Sequence, residues 1–332
     1  MDRSIPEMTQ PIAQDASRHS PLQVSVIIVN WNTKALLADC IRSVQAQTTA
    51  SHEVIVIDNC SSDGSADMVR DLFPSVVLIA NSDNRGFAAA NNQGLAMARG
   101  SHLLLLNPDT IILDHAIDKS LDWLSRHPKV GCMGCQVLEG PEVIQRTGFS
   151  DPSPLNQAIA ELGLTKLSRF PLFARPFYSN WDRKSEKVVD VVSGMFMLVP
   201  RAVFEKVGLL DPGFFIYAEE ADWCRRIRKA GYTCVFAPVA QIIHLDGGSK
   251  STAQIKSKMF VQKQKSHLFY LRKHSGPLGY AFAKSVFILS ALLRLCLFGA
   301  LSLLRPSANI SARVRLSKAA LAFQILQREP AK

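Results

Sequence analysis

Three stretches of this 332-residue chain carry side chains placed to do chemistry. The first runs from His102 through four leucines to Asn107, Pro108, Asp109 and Thr110. Four consecutive leucines read as a short strand buried on both faces. Pro108 has no N–H to give a ladder, so the strand is predicted to stop at Asn107 and to leave Asp109 just past its carboxyl end. An ionised carboxylate at that edge is a hard oxygen ligand, suited to a divalent cation that also holds a diphosphate; the plainer reading is a turn aspartate capping the next helix. The second stretch, Tyr217 to Arg226, sets Glu219 and Glu220 at a predicted helix start, where the helix dipole is expected to keep them ionised. A carboxylate there can take the proton of an attacking alcohol, or merely complement the dipole. Asp222 and Arg226 form an i,i+4 pair assigned to structure. The third is His244, which follows the apolar Ile242 and Ile243 and precedes Gly247 and Gly248. It is either a metal ligand beside Asp109 or a histidine closing a strand.

Other polar clusters belong to the same sheet edge. The first predicted strand ends at Asn30, Trp31 and Asn32, and the second at Asp58, Asn59 and the run to Ser65. Asp58 can accept from a base N–H and Asn30 can meet a base or ribose, whereas Gly64 and Ser65 suffice for a turn and a helix cap. Between Asn84 and Gly94, Gly86 permits close backbone approach and Arg85 can counter a phosphate; Ala88 to Ala90 are read as helix-to-sheet packing. No G-x-G-x-x-G follows the first strand, so the phosphate loop of dinucleotide oxidoreductases is missing.

These residues need a scaffold, and the hydrophobic periodicity supplies one. Strands are predicted over 24–29, 54–58, 76–80 and 103–106. Helices from Thr33 to about Gln47, near 65–72 and over 87–98 separate them. The result is a doubly wound parallel sheet of the α/β class. Further strands are expected over 130–138, 143–149, 188–199, 232–236 and 240–245, with helices near 201–207 and 219–230. Residues 151–187 show no period. Residues 1–20 read as a tail, 21–250 as the main domain and 251–332 as a helical extension.

Composition narrows the partners. Thirty-eight Lys+Arg against 28 Asp+Glu give a formal charge of +10, which favours an anionic partner. Lys250, Lys256, Lys258, Lys263, Lys265, Arg272 and Lys273 precede the apolar stretch 281–304. That arrangement suits a membrane surface better than nucleic acid, although a solvated helix face would look the same. No zinc-finger spacing or aromatic-basic ribonucleoprotein motif supports nucleic-acid binding. Within the apolar stretch and just past it, Lys284, Ser290, Arg294, Ser302 and Arg305 share one helical sector. The helix is therefore expected to lie in the lipid interface rather than span it, the rival being a hairpin packed on the domain. A central arginine costs a spanning helix about 2.5–3.5 kcal/mol on insertion scales. Cys132 and Cys135 form a lone CxxC, read as two small residues packed on a strand. The N-terminus lacks an apolar signal core, so a cytoplasmic protein at the inner face of the membrane is expected.

Taken together, the ordered blocks resemble the inverting family 2 glycosyltransferases of the GT-A fold, in particular their bacterial rhamnosyltransferase-like branch. The blocks are Val-Ile-Ile-Val-Asn-Trp-Asn, Asp-Asn-x-Ser-x-Asp-Gly-Ser, Asn-x-Gly-Phe-x-x-x-Asn-Asn, Asn-Pro-Asp, Ser193-Gly194, Glu-Glu-x-Asp-Trp-Cys-x-Arg and His-x-x-Gly-Gly, spread over about residues 22–250. The resemblance implies a Rossmann-like, mostly parallel sheet and transfer of a sugar from a nucleotide-diphosphate donor, dTDP-rhamnose first among them, to a glycan or lipid-linked acceptor. A galactofuranosyl- or hexosyltransferase, or a silent sugar-nucleotide-binding protein, is the alternative. It also implies that Asp109 holds Mg2+ or Mn2+ with His244 as a further ligand, and that Asn107 replaces the first aspartate of the Asp-x-Asp motif. Glu220, or its neighbour Glu219, would be the base. Asn30, Asn32, Asp58, Arg85, Gly86 and Asn107 fall on the donor side, and Ser193, Gly194 and Trp223 on the acceptor side.

Overall fold

The computed structural model describes residues 22–140, 143–245, 256–305 and 307–326. The expected tail, Gly247, Gly248, Lys250, the Lys256 side chain and the boundary at 250/251 lie outside the described residues. The first half follows the predicted alternation. Strands β1 (Val24–Asn30), β2 (His52–Asp58), β3 (Val77–Ala80) and β4 (His102–Leu106) alternate with helices α1 (Lys34–Gln47), α2 (Ser65–Leu72) and α3 (Phe87–Met97). All three strand pairs in this half are parallel, in the spatial order β3-β2-β1-β4. The leucines of β4 alternate between two cores. Leu104 and Leu106 pack with α1 on one face, while Leu103 and Leu105 pack with α3 on the other. Full burial of such a side chain contributes about 1.5–3 kcal/mol.

Beyond β4 the sheet becomes mixed. A short strand β5 (Thr110–Ile112) follows the Asn107-Pro108-Asp109 turn, then α4 (Ala116–Ser125) and β6 (Val130–Leu138). The aperiodic 151–187 stretch folds as short helices, α5 (Pro154–Glu161), α6 (Pro171–Ala174) and two 3-10 turns. Next come β7 (Lys187–Val189), β8 (Phe196–Pro200), α7 (Arg201–Val207), α8 (Glu219–Lys229) and β9 (Thr233–His244). Strand β8 runs antiparallel to β4 and β6, β9 parallel to β6, and β5 and β7 antiparallel to β9. Two expectations fail here. The strand expected over 188–199 is broken, because β7 pairs with β9 whereas β8 pairs with β4, so 190–195 must cross between them. The strand expected over 143–149 reduces to two isolated bridges, Leu138 to Ile144 and Phe149 to Val191. Conversely, the strands expected over 232–236 and 240–245 are one strand, β9, whose register against β6 shifts between Gly134 and Gln136. The CxxC cysteines face opposite cores, Cys132 on one side and Cys135 on the other, so they cannot share a metal.

Two further helices follow among the described residues, α9 (Lys256–Leu304) and α10 (Ala308–Leu326). Gly276 has a positive φ and Pro277 follows it, which kinks α9. Polar contacts stitch α9 to the domain. Ser266 donates to the Ile216 carbonyl (2.7 Å) and Tyr270 to Asp151 (2.8 Å), and His274 Nε2 and Lys273 Nζ each lie 2.7 Å from Asp222 Oδ1. Asp222 also receives Arg226 at 2.9 Å, the i,i+4 pair expected. Burial alone would raise the Asp222 carboxyl, but hydrogen bonds from His274 and Lys273 hold it well below the usual range. Two members of the polar sector, Ser290 and Arg294, turn toward the protein and donate to the Glu161 carbonyl at 3.0 and 2.7 Å. At helical spacing Leu278, Phe282, Leu289, Leu293, Leu297 and Leu304 share a sector of about 100°, and all are exposed, Leu278 by 86% and Leu304 by 78%.

Candidate active site

A cleft of about 570 Å³ opens at the carboxyl edge of the parallel strands. Asn107, Asp109, Ser193, Gly194, Glu219, Glu220 and His244 all line it, together with Gly86. Sheet register brings the first pair together. Thr110 of β5 lies opposite His244 of β9, and the Leu245 N–H donates to the Asp109 carbonyl at 2.9 Å. The side chains of Asp109 and His244 are consequently adjacent, with Oδ1 and Nε2 3.2 Å apart. Both residues are buried, 3% and 5% exposed, yet among the described residues neither of these two atoms has a hydrogen-bond partner. His244 Nδ1 lies 3.1 Å from Gln145 Oε1, an acceptor, and in the tautomer that donates there Nε2 presents its lone pair. A buried carboxylate oxygen and an imidazole lone pair facing one point, with the second imidazole nitrogen held from behind, fit a divalent cation.

The two glutamates sit at the first turn of α8, after Tyr217 and Ala218, which both adopt positive φ (72° and 68°). Left-handed backbone costs a residue with a Cβ about 1–2 kcal/mol, and two in succession swing the helix start into the cleft. The expectation that the dipole keeps both ionised fails. Burial, and then the charge of Glu220, push the Glu219 carboxyl well above its usual range. Burial also pushes Glu220 up to about 7, against the pull of the nearby Lys263 charge. One oxygen of each carboxyl, Oε2, is buried without a partner among the described residues. Desolvation outweighs the dipole because a helix end stabilises a charge by about 0.3–1 kcal/mol, whereas full burial moves pKa values by up to 3–5 units.

The donor-side residues divide into wall and foundation. Gly86 is on the wall, with φ at +81°, and a Cβ there would lie 2.4 Å from the Phe215 carbonyl oxygen, so only glycine fits. Asn107 forms part of the wall and its N–H donates to the Met195 carbonyl at 3.2 Å. Asn30, Asn32, Asp58 and Arg85 do not line the cleft. Asn30 is fully buried and donates to Asp58 Oδ1 (2.8 Å) and Ser61 Oγ (3.1 Å), while Thr33 donates to its carbonyl oxygen Oδ1 (2.6 Å) instead of capping α1. Asn32 Oδ1 accepts from the Ser62 N–H (2.7 Å), and exposed Arg85 faces Asp83 (3.4 Å). These contacts brace the loops beneath and beside the cleft. Trp223 departs most from expectation: it is completely buried, donates to the Gly208 carbonyl at 2.9 Å, and has no face toward the acceptor side.

Several wall residues went unpredicted. Asn59 is buried and donates to Asn84 Oδ1 at 2.8 Å while accepting the Arg85 N–H at 3.1 Å, so it shapes the loop under Gly86. Its signal was its place immediately after Asp58 at a strand end. Tyr217 and Phe215 flank the glutamates, and Lys258, Met259 and Gln262 enter from α9. Nothing local in the sequence marks that α9 residues reach this cleft.

Comparison with known proteins agrees with this architecture. Residues 25–208, more than half of the chain, match Glycosyl transferase family 2. An N-acetylglucosaminyl-diphospho-decaprenol L-rhamnosyltransferase of Mycobacterium tuberculosis is 26% identical over 268 residues, covering 76% of this chain and 85% of that protein. A low-salt glycan biosynthesis hexosyltransferase of Haloferax volcanii is 25% identical over 67% of this chain and 66% of its own length. Among solved structures, a mannosyltransferase from Pyrobaculum calidifontis in complex with GDP-Man and Mn2+ superposes with a TM-score of 0.52 at 15% identity, over 91% of this chain and 86% of that one. The chain belongs to glycosyl transferase family 2 and is built on the GT-A fold.

Proposed function

We propose that the protein is a metal-dependent inverting glycosyltransferase that moves a sugar, rhamnose from dTDP-rhamnose, to a hydroxyl of a lipid-linked cell-envelope glycan. One observation carries the reading: a single cleft joins the Asp109–His244 pair to Glu220. Asp109 and His244 would hold Mg2+ or Mn2+. A divalent cation there supplies charge stabilisation to the departing nucleoside diphosphate. Glu220, poised near neutrality by burial, takes the proton of the acceptor hydroxyl. The hydroxyl oxygen forms its bond to the anomeric carbon as the carbon–oxygen bond to the diphosphate breaks, and the electron pair leaves with the diphosphate. One displacement inverts the centre. Glu219, raised well above its usual range by burial and then by the charge of Glu220, is biased toward its protonated form, which offers a hydrogen bond. Ser193 and Gly194, on the crossing 190–195, form the wall on the acceptor side.

The rhamnosyl donor and the polyprenyl-linked acceptor are supported by the mycobacterial relative and the exposed apolar face of α9. A donor screen with dTDP-rhamnose, UDP-sugars and GDP-sugars, with and without EDTA, tests the reaction. Hydrolysis or transfer is expected with dTDP-rhamnose and is expected to stop on chelation. Selective turnover of a UDP- or GDP-hexose would replace rhamnose by the hexosyl reading, and inertness toward every donor would refute catalysis.

The membrane reading places the protein at the inner face, with the Leu278–Leu304 stripe in the interface and Ser290 and Arg294 against the domain. Flotation with anionic liposomes is expected to carry the wild type upward and to leave Leu293→Glu/Leu297→Glu in the dense fraction. Equal flotation of both would remove the idea.

A further inference from the structure

A second cavity, of about 370 Å³, meets the first at Tyr217 and Glu220, the residues the two share. Its size lies within the roughly 300–1,000 Å³ of small-molecule sites. Phe149, Phe177 and Phe260 give it aromatic surface, and Asn156 and Lys263 bring polar groups. Asn156 is 3% exposed and donates its amide to Ser150 Oγ and the Asp151 carbonyl (2.9 and 2.7 Å), yet its Oδ1 has no partner among the described residues. Glu220 Oε2 is in the same condition. Asn156 and Glu220 both line this cavity, and an unpaired buried acceptor costs about 1–3 kcal/mol, so donors from a ligand seated there would relieve both.

Among the described residues, three basic side chains border the cavity. Burial holds His267 down to about 3, so its ring is neutral, and Nδ1 pairs with Gln157 Oε1 at 2.8 Å. Arg294 is committed to Glu161, through the carbonyl at 2.7 Å and the carboxylate at 3.4 Å. Among the described residues, Lys263, exposed on α9, is the cation left to meet an anion, and its charge is felt by both Glu220 and His267.

We propose that this second cavity takes the glycosyl phosphate end of the acceptor. Sugar hydroxyls donate to Asn156 Oδ1 and Glu220 Oε2, the phenylalanine rings cover the C–H face of the sugar, and Lys263 holds the phosphate nearest to it. The acceptor would then reach Glu220 from this cavity, its reacting hydroxyl entering the first beside Ser193 and Gly194 to meet the donor there. The assignment of this cavity to an acceptor rests on the transfer reading above, and its chemistry can be tested apart from it.

The test is direct binding by ligand-observed NMR. The probes are the 1-phosphates of glucose, galactose, N-acetylglucosamine and N-acetylgalactosamine, each against its parent sugar. The full-length wild type is expected to bind at least one sugar phosphate more tightly than the parent sugar. Lys263→Gln should weaken the phosphate form by about tenfold or more and the parent sugar little, the loss of one charge-assisted hydrogen bond. Ala160→Trp, which fills the cavity from α5, should abolish binding of both, with a thermal melt confirming that the variant folds. No binding by any probe, or binding that survives Ala160→Trp, would overturn the proposal. These outcomes do not require turnover. A protein that binds sugar phosphates here but transfers nothing would sink the transfer reading and leave the cavity's chemistry standing.

Discussion

Glu220→Gln is expected to reduce sugar transfer by about 10²–10⁴-fold, the usual contribution of a positioned general base. The amide occupies the same space but cannot take a proton. Burial sets the accompanying pH dependence. Because the Glu220 carboxyl is pushed up to about 7, the wild-type rate should rise as pH increases through that region and then level off. The variant should have no such limb. Stability moves in the opposite sense. A carboxyl that binds its proton more tightly in the folded chain than in the unfolded one stabilises the fold most below the ordinary carboxylate range, and that contribution is lost as pH rises toward 7. Glu220→Gln, with no charge to bury, should therefore melt higher than the wild type at pH 8, and the gap should close toward pH 4. A higher melting temperature with lost activity separates a missing base from a damaged fold. Glu219→Gln provides the contrast: that carboxyl is raised well above its usual range and the amide keeps a hydrogen-bond donor in its place, so a smaller loss is expected. Wild-type turnover by Glu220→Gln, or a larger loss from Glu219→Gln, would move the base assignment elsewhere.

The sequence revealed the sheet edge better than the cleft built upon it. The leucine run ending in Asn107-Pro108-Asp109 marked a central strand because hydrophobic continuity and a proline stop are local signals, and the strand ends at Leu106. The meeting of Asp109 with His244 is not local. It depends on β5, three residues long, pairing antiparallel with the end of β9. Residue spacing cannot reveal that register across so long a separation. Titration was misread for a related reason: the dipole at a helix start is visible in sequence, but the burial that overrides it comes from packing around the cleft. Trp223 shows the converse error. An aromatic beside the catalytic motif looks like a sugar platform, yet it lies on the inward face of α8 with its N–H spent on Gly208. The break at 190–195 escaped notice because apolar residues on both sides gave a continuous run, while different strands claim its two ends.

Asp109→Asn should abolish metal-dependent transfer and uncouple the protein from its cation without unfolding it. The reasoning starts from the orphaned atoms. Asp109 Oδ1 and His244 Nε2 lie 3.2 Å apart and buried, with no hydrogen-bond partner among the described residues, and with Nε2 in the unprotonated form a cation requires the cation-free fold leaves two electron-rich atoms uncompensated. Removing the carboxylate charge relieves that arrangement. In EDTA the variant should therefore be at least as stable as the wild type, which a loss-of-fold explanation does not allow. Adding Mn2+ with a nucleoside diphosphate reverses the order. A ligand that binds only the folded state stabilises it by about 2.7 kcal/mol at a hundred times its dissociation constant. The wild type should gain that increment and the variant should gain little, because one of its two protein ligands has lost its charge. Gln145→Ala extends the argument one shell outward. Freed of the Gln145 contact, His244 can rotate or change tautomer, so Mn2+ affinity should fall by about 10–100-fold while the nucleotide wall is untouched. Thermal melts of the three proteins, with and without Mn2+ and UDP, decide the matter. Equal stabilisation of the wild type and Asp109→Asn would place the cation, if the enzyme uses one, somewhere other than this pair.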